Sequence, residues 1–128
     1  MNVASKQLCQ ELYELSGWGD TRDWWNESIV DDEFYVADTM GEIPAYDLGY
    51  LLRKLPEEVD RKILVITNGD RPHAGYAERD NYGFYSLDGG FYDRAQCSDT
   101  PEDAACALAI ELFKQGILKP LDKEEESV

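Results

Sequence analysis

The single histidine is the first residue of the chain to examine for catalysis. His73 follows the turn dipeptide Asn68-Gly69, and a histidine can act as a general base because its unperturbed pKa lies near neutrality. A second histidine is absent, and no serine or cysteine stands in a recognisable nucleophile elbow. We therefore interpret His73 as an exposed loop residue, predict no catalytic residue and lean against an enzyme.

Three consecutive carboxylates, Asp31, Asp32 and Glu33, are the candidates for a cation site. Hard cations take several carboxylate and carbonyl oxygens, but the alternating ligand spacing of a calcium loop and its glycine are missing here. Carboxylate pairs also catalyse glycoside hydrolysis, although among 27 acidic residues some pair always falls at a suitable distance. The segment 17–19 lacks the third glycine and the lysine of a phosphate loop. We predict a solvated loop at 31–33, no metal and no cofactor.

The adjacent tryptophans Trp24 and Trp25 are the candidates for recognition of a partner. Tryptophan is enriched both in protein cores and in interface hot spots, so core packing and docking both remain open. If the segment is extended, at least one of the two faces outward, because side chains alternate along a strand. The predicted binding residues are listed as Trp24, Trp25, Asp31, Asp32 and Glu33.

Negative charge dominates the first half of the chain. The net charge of the 128 residues is −15, and residues 1–50 hold 11 acids against only Lys6 and Arg22. Such a surface repels phosphate backbones and anionic lipid and attracts basic partners. Basic residues occur singly or in pairs, without the clustering typical of nucleic-acid binding. We predict no direct nucleic-acid binding and no membrane binding. The charge can also serve solubility alone.

The compartment is predicted from the N-terminal segment and the cysteines. The first residues lack a basic start followed by an apolar stretch, and no run of about 18 apolar residues occurs anywhere. Cys9, Cys97 and Cys106 are an odd number at wide spacing, which fits neither a disulfide framework nor a zinc site. We expect a cytoplasmic protein with reduced, buried cysteines.

Three helices are predicted from apolar periodicity and capping residues. The first spans 4–16, with Ser5 as its cap and Gly17 as its stop. The second follows Pro44 and ends near Leu55, with Leu48 and Leu52 on its buried side and a close backbone approach at Gly49. The third begins after Thr100 and ends at Gly116, with an apolar face listed as Ala105, Leu108, Ala109, Leu112 and Phe113.

The strands are predicted between the helices rather than alternating with them. They lie at 24–30, 34–37, 63–67, 74–79, 83–87 and 91–97, and the last four form an antiparallel meander. Grouped strands of this kind favour the α+β class over a parallel α/β fold. We predict one α+β domain at 1–120, a small, mainly antiparallel sheet flanked by three helices, and a charged tail at 121–128.

Three sequence blocks carry a resemblance: ELYELSGWGDT at 11–21, PAYDLGYLLRKLP at 44–56 and TPEDAACALAIELFKQGILK at 100–119. Together they resemble a recurrent group of small uncharacterised proteins from phage, prophage and environmental bacterial sequences. The resemblance implies an intracellular setting in a bacterium or its virus. It implies no reaction, cofactor or catalytic residue.

These observations leave three hypotheses for the function. The leading one is a non-enzymatic acidic interaction protein that docks on a basic partner, for example by mimicking nucleic acid or as an inhibitor. The second is a small-molecule-binding protein or enzyme with an aromatic pocket near His73. The third is a structural or assembly protein that forms a homo-oligomer through Trp24, Trp25 or a sheet edge.

Overall fold

The computed structural model describes residues 2–28, 30, 33–59, 61–67, 70–77 and 92–120. Its elements, in chain order, are α1 (Lys6–Ser16), β1 (Trp24–Glu27), β2 (Phe34–Ala37), β3 (Ile43–Pro44), α2 (Leu48–Lys54), β4 (Glu58–Val59), β5 (Lys62–Ile66), β6 (His73–Ala77), β7 (Tyr92–Cys97) and α3 (Pro101–Lys114). Helices and antiparallel strands in this order confirm the predicted α+β class.

The described strands form two antiparallel sheets. The order of the first is β2-β1-β3, and the order of the second is β4-β5-β6-β7. Three of the four strands predicted for the meander lie in the second sheet as β5, β6 and β7, with Ile63 opposite Ala77 and His73 opposite Cys97. Because β6 pairs directly with β7, the meander prediction is confirmed only for these strands. The first is an addition to the predicted architecture, because β1, β2 and β3 pair with one another and not with the meander. The strand predicted at 83–87 and the tail at 121–128 lie outside the described residues.

The ends of α1 and α3 follow the predicted capping chemistry. Ser5 and Thr100 each accept a backbone N–H of the first turn, which has no partner inside the helix. Gly17 and Gly116 lie just beyond the last turns with φ angles of 72° and 78°, a conformation that glycine adopts without strain. Ile117 folds back and donates its N–H to the last turn of α3. The predicted caps at Ser5 and Thr100 and the predicted stops at Gly17 and Gly116 are confirmed.

The core is built around α3. This helix contacts α1, α2, β6 and β7, so it is surrounded on most of its circumference. Its buried residues are Glu102, Ala104, Ala105, Cys106, Leu108, Ala109, Ile110 and Leu112. The predicted face is confirmed for Ala105, Leu108, Ala109 and Leu112, which are fully buried, while Phe113 is partly buried and packs against the core. Burial extends beyond this face to Glu102, Ala104, Cys106 and Ile110.

Two predictions for α2 are wrong. Leu52 is 43% exposed, whereas Leu51 and Leu55 are buried, so the packed face runs through positions 48, 51 and 55. Leu52 lies one residue, or about 100° of helix rotation, beyond that face. Gly49 is exposed, and a Cβ there would make only ordinary contacts of 3.5 Å and 3.6 Å with two side chains, so no backbone approaches it closely.

The cysteine prediction is right for two residues and wrong for one. Cys9 and Cys106 are fully buried, while Cys97 is exposed. Cys97 ends β7, which is the outermost of the described strands on its side of the sheet. Burial raises the pKa of both Cys9 and Cys106, which keeps them as unreactive thiols.

We therefore expect a maleimide to label the native protein at Cys97 alone. Mass spectrometry should show one adduct on the folded chain and three after unfolding in urea, because only one of the three cysteines is exposed. The Cys97→Ser variant should take no label when folded. Rapid double labelling of the native wild type would contradict the packing of Cys9 and Cys106 around α3.

Gly41 gives a second test of the fold. A Cβ at this position would collide with the backbone carbonyl of Trp25 and lie 3.2 Å from the Asn26 amide oxygen. We expect Gly41→Ala to lower the free energy of unfolding by about 1–3 kcal/mol in urea denaturation. Gly19→Ala is the matched control, since its Cβ would lie 3.6 Å from Trp24. Equal stability of the two variants would contradict the placement of β1 against the 38–42 loop.

Candidate functional site

The structure separates the two adjacent tryptophans of β1. Trp24 is only 7% exposed and packs edge to face on Tyr13, with ring centroids 6.4 Å apart. Trp24 is therefore part of the packed interior and offers little surface to a partner. Trp25 points to the opposite face of the strand, is partly buried, and lines both grooves described below. The prediction that one of the pair reaches the surface fits Trp25.

Of the three carboxylates predicted to bind a partner together with the tryptophans, the structure describes Glu33. Asp31 and Asp32 lie outside the described residues. Glu33 is exposed just before β2, and its carbonyl oxygen accepts the N–H of Ser28 at 2.7 Å. Glu33 lines neither groove. Of the predicted binding residues, Trp25 alone therefore lies in a cavity, and Glu33 lies on the surface of the same sheet.

The larger of the two grooves lies where the first sheet meets the N-terminus of α3. We call it the α3 groove; its volume is about 550 Å³, within the usual range for ligand sites. Its apolar lining includes Trp25, Val36 and Leu48. Its polar lining includes Asp99, Thr100 and Glu102. Among the residues that the structure describes, no lysine or arginine lines it, and the charged residues that do are acidic.

Residues 2–5 form a fixed wall beside the α3 groove. The backbone N–H of Ser5 donates to the Asp103 carboxylate at 2.6 Å, which joins the start of α1 to the first turn of α3. The N–H of Ala4 donates to the Tyr46 carbonyl at 2.9 Å. These bonds hold Val3, which lines the groove, against the segment that leads into α2.

Glu102 is the unusual residue of the α3 groove. It is only 6% exposed, yet no residue that the structure describes makes a hydrogen bond or an ion pair with its carboxylate. Its carboxylate oxygens keep some contact with solvent, because among the described residues the fully buried side-chain polar atom without a partner is the Trp25 indole nitrogen. The positive end of the helix macrodipole also favours a carboxylate at this first-turn position. Sequence reasoning assigned Glu102 only to the helix start. Its burial beside Trp25 comes from tertiary packing and leaves no local signal.

A second buried acid, Asp23, has a different setting. It is 5% exposed and lines neither groove. Its carbonyl oxygen accepts the N–H of Ala45 at 3.0 Å and the hydroxyl of Thr21 at 2.9 Å. The Asp23 backbone therefore holds the entry into β1 against the end of β3.

The smaller groove lies on the other side of Trp25 and has a volume of about 410 Å³. Glu27, Glu42 and Lys6 all line it. The Lys6 ammonium lies 4.1 Å from the centroid of the Phe34 ring, a cation–π contact that covers part of the groove. Because this groove carries its own cation, it attracts a positive ligand less strongly than the α3 groove.

The first sheet carries exposed carboxylates at the ends of its strands. Residues 23–52 contain eight acids and no lysine or arginine. We call β1–β3 with their exposed acids, listed as Glu27, Glu33, Asp38 and Glu42, the acidic sheet. Among the described residues, Glu27, Asp38 and Glu42 have no lysine or arginine within ion-pair distance. The acidic sheet is therefore a negative surface largely without local counter-ions.

Two other acids of the first half do have basic partners. Glu11 pairs with Lys114 at 3.3 Å, and Asp20 pairs with Lys54 at 3.3 Å. Both pairs lie outside the acidic sheet. Among the described acids of the first half, those without a basic partner thus include Glu27, Asp38 and Glu42 of the acidic sheet.

Tyr50 and Asp20 have shifted pKa values. The Tyr50 hydroxyl donates to the Asp20 carboxylate, and this bond, with a further contribution from Lys54, lowers the pKa of Asp20. Burial and the neighbouring Asp20 raise the pKa of Tyr50. Shifted pKa values often mark functional sites, but here Tyr50 stacks on Tyr46 at 5.3 Å and serves the aromatic core.

Within the described parts of the chain, His73 lies outside both grooves and no metal site is found. His73 begins β6 and is partly buried, so the prediction of an exposed loop residue is wrong. Its carbonyl oxygen accepts the N–H of Thr67, its N–H donates to the Thr67 hydroxyl, and it lines neither groove. Among the described residues, no group of three or more histidine, cysteine or acidic side chains is placed to hold a metal ion. Over the same ranges, none of the helices combines the length and apolarity needed to cross a bilayer.

Comparison of the chain with models of known protein families, with functionally characterised proteins and with solved structures finds no match. The candidate site therefore stands on its own geometry.

The Tyr50–Asp20 bond gives a pH-dependent prediction. We expect Tyr50→Phe to lower the free energy of unfolding by about 1 kcal/mol near neutral pH. In acid the stability difference between wild type and Tyr50→Phe should narrow, because the pKa of Asp20 is lowered in the folded state. The ionised Asp20 stabilises the fold fully above its unfolded pKa of about 3.9, and this stabilisation is lost as the pH falls through the folded pKa. In alkali the same stability difference should narrow again, because the pKa of Tyr50 is raised in the folded state. The protonated Tyr50 hydroxyl stabilises the fold fully below about pH 10, and this stabilisation is lost as the pH rises through the folded pKa.

Urea unfolding from acid to alkaline pH measures this difference. Tyr35→Phe is the control, since Tyr35 is 51% exposed and the same hydroxyl is removed at the surface. A stability loss in Tyr50→Phe that stays constant across the pH range would contradict the role of the Asp20 bond.

Proposed function

We propose that this protein is a non-enzymatic acidic interaction protein that docks on a basic partner through the acidic sheet. The observation that carries the proposal is the set of exposed carboxylates at Glu27, Asp38 and Glu42, which lack described counter-ions. Complementary charge steers association and suppresses wrong partners. A protein that binds nucleic acid fits this surface, and the bacterial or phage setting implied by the three sequence blocks agrees with such a partner.

The acidic sheet also offers a hydrophobic anchor beside its charge. Trp25 is partly exposed at the α3 groove, and Tyr35 is 51% exposed on β2. Aromatic residues beside charge are typical of interface hot spots. This combination supports a specific docking surface over charge that serves solubility alone.

The acidic sheet is a poor surface for pairing with a second copy of the chain. An edge strand such as β2 can add a strand from another molecule, and its exposed Phe34 and Tyr35 would favour that contact. Two copies, however, would bring their unpaired carboxylates together, and like charges across an interface cost several kcal/mol. We therefore place the homo-oligomer hypothesis below the docking hypothesis.

Two triple variants of equal charge test the proposed function. The sheet variant carries Glu27→Gln, Asp38→Asn and Glu42→Gln. The experiment captures proteins from a bacterial lysate at low salt, purifies any basic partner, and measures its affinity by calorimetry. We expect the sheet variant to bind at least about tenfold more weakly than wild type, because several interfacial charges are removed at once. High salt should release the wild-type complex.

The control variant carries Glu14→Gln, Glu57→Gln and Glu58→Gln, three exposed acids outside the acidic sheet. It should bind the partner within about twofold of wild type, since exposed charges away from an interface contribute little. An equal loss in both triple variants would show unspecific polyanion behaviour and contradict a docking surface. Absence of any salt-sensitive basic partner would also contradict the proposal. Release of the partner by duplex DNA would support the nucleic-acid mimic form.

A further inference from the structure

We propose that the α3 groove binds an arginine side chain of the basic partner, with the guanidinium at Glu102 and the aliphatic stem against Trp25. This inference rests on the proposed function, because it names the chemical group that the docked partner inserts. The groove differs from the surrounding acidic surface in being a cavity with an apolar side and a negative end.

The charge of the groove selects a cation. Asp99 and Glu102 line it, and no basic residue in the described ranges does. Glu102 is only 6% exposed, and no described residue supplies its carboxylate with a hydrogen bond or a counter-ion. An inserted cation with N–H donors would supply both. An anion would meet two carboxylates, so the helix N-terminus here does not serve as a phosphate site.

The apolar lining selects a cation on a hydrocarbon stem. Trp25, Val36 and Leu48 line the groove between the acidic sheet and α2. Arginine buries its methylene groups along apolar surface while its head keeps polar contacts. A small inorganic cation would leave this lining without a partner, and a bare metal ion would find too few oxygen ligands.

The guanidinium fits this site better than the ammonium of lysine. It is planar, more weakly hydrated, and presents its donors as a fork that matches a carboxylate. It also stacks on aromatic faces, and Trp25 provides an indole beside the groove. At a largely buried carboxylate the lower desolvation cost of arginine decides the preference.

Nuclear magnetic resonance titration of the whole protein with short peptides tests this inference. The probe is a capped pentapeptide with one arginine between alanines, and the matched probes carry citrulline or lysine at the same place. We expect the arginine peptide to shift the Trp25 indole and Glu102 amide signals in a saturable way. Citrulline, which keeps the shape without the charge, should cause no saturable shift. The lysine peptide should bind several-fold more weakly. Equal binding of citrulline or lysine would overturn the arginine assignment.

Variants of the protein locate the binding. Glu102→Gln should weaken the arginine peptide at least about tenfold, whereas the exposed Glu58→Gln control should stay within about twofold. Asp99→Asn should weaken it about two- to fivefold; because Asp99 is exposed, this variant keeps the test decisive even if Glu102→Gln fails to fold. Unchanged binding in Asp99→Asn and in a folded Glu102→Gln would overturn the inference.

The purified basic partner separates this inference from the proposed function. If the sheet variant loses the partner while Glu102→Gln binds it normally, the groove assignment fails and the docking function stands. If the arginine peptide binds at Glu102 but the sheet variant keeps the partner, the docking function fails and the groove assignment stands.

Discussion

The core around α3 has to stabilise a chain whose carboxylates repel one another. A net charge of −15 opposes compaction, and burial of apolar surface, at about 25 cal/mol per Å², provides the main opposing free energy. Small residues such as Ala104, Ala105 and Ala109 let neighbouring elements approach α3 closely, and Leu108 and Leu112 fill the space between them. The fold keeps nearly all its described acids off this core and in contact with water.

The acidic sheet and the α3 groove meet at Trp25, which belongs to β1 and also lines the groove. Trp25 lines both the cavity that contains Glu102 and the groove that already holds the Lys6 ammonium. Uniform negative charge would attract any polycation without preference. In the proposed docking function, a cavity that combines Glu102 with an apolar wall would discriminate between cationic side chains by shape and desolvation, and would thereby add selectivity to general attraction.

Local signals predicted the helices well and the site only in part. Ser5, Thr100, Gly17 and Gly116 act through backbone groups within a few residues, so their roles are visible in sequence. The acidic sheet has short strands without clear periodicity, and its pairing depends on contacts between distant segments. The α3 groove joins residues from positions 2–3, 25, 36, 48 and 99–102. Leu52 and Cys97 were misplaced because the covering element, not the residue type, decides which positions are buried.

The salt dependence of stability tests most directly whether the carboxylates of the acidic sheet lack counter-ions. The measurement is the free energy of unfolding of wild type and of the variant with Glu27, Asp38 and Glu42 neutralised, in urea at low and high sodium chloride. Our account predicts a more stable variant at low salt, with the difference shrinking as screening shortens the range of repulsion to about 10 Å at 0.1 M. A less stable variant at low salt would contradict the account, because it would show that these carboxylates take part in attractive ion pairs.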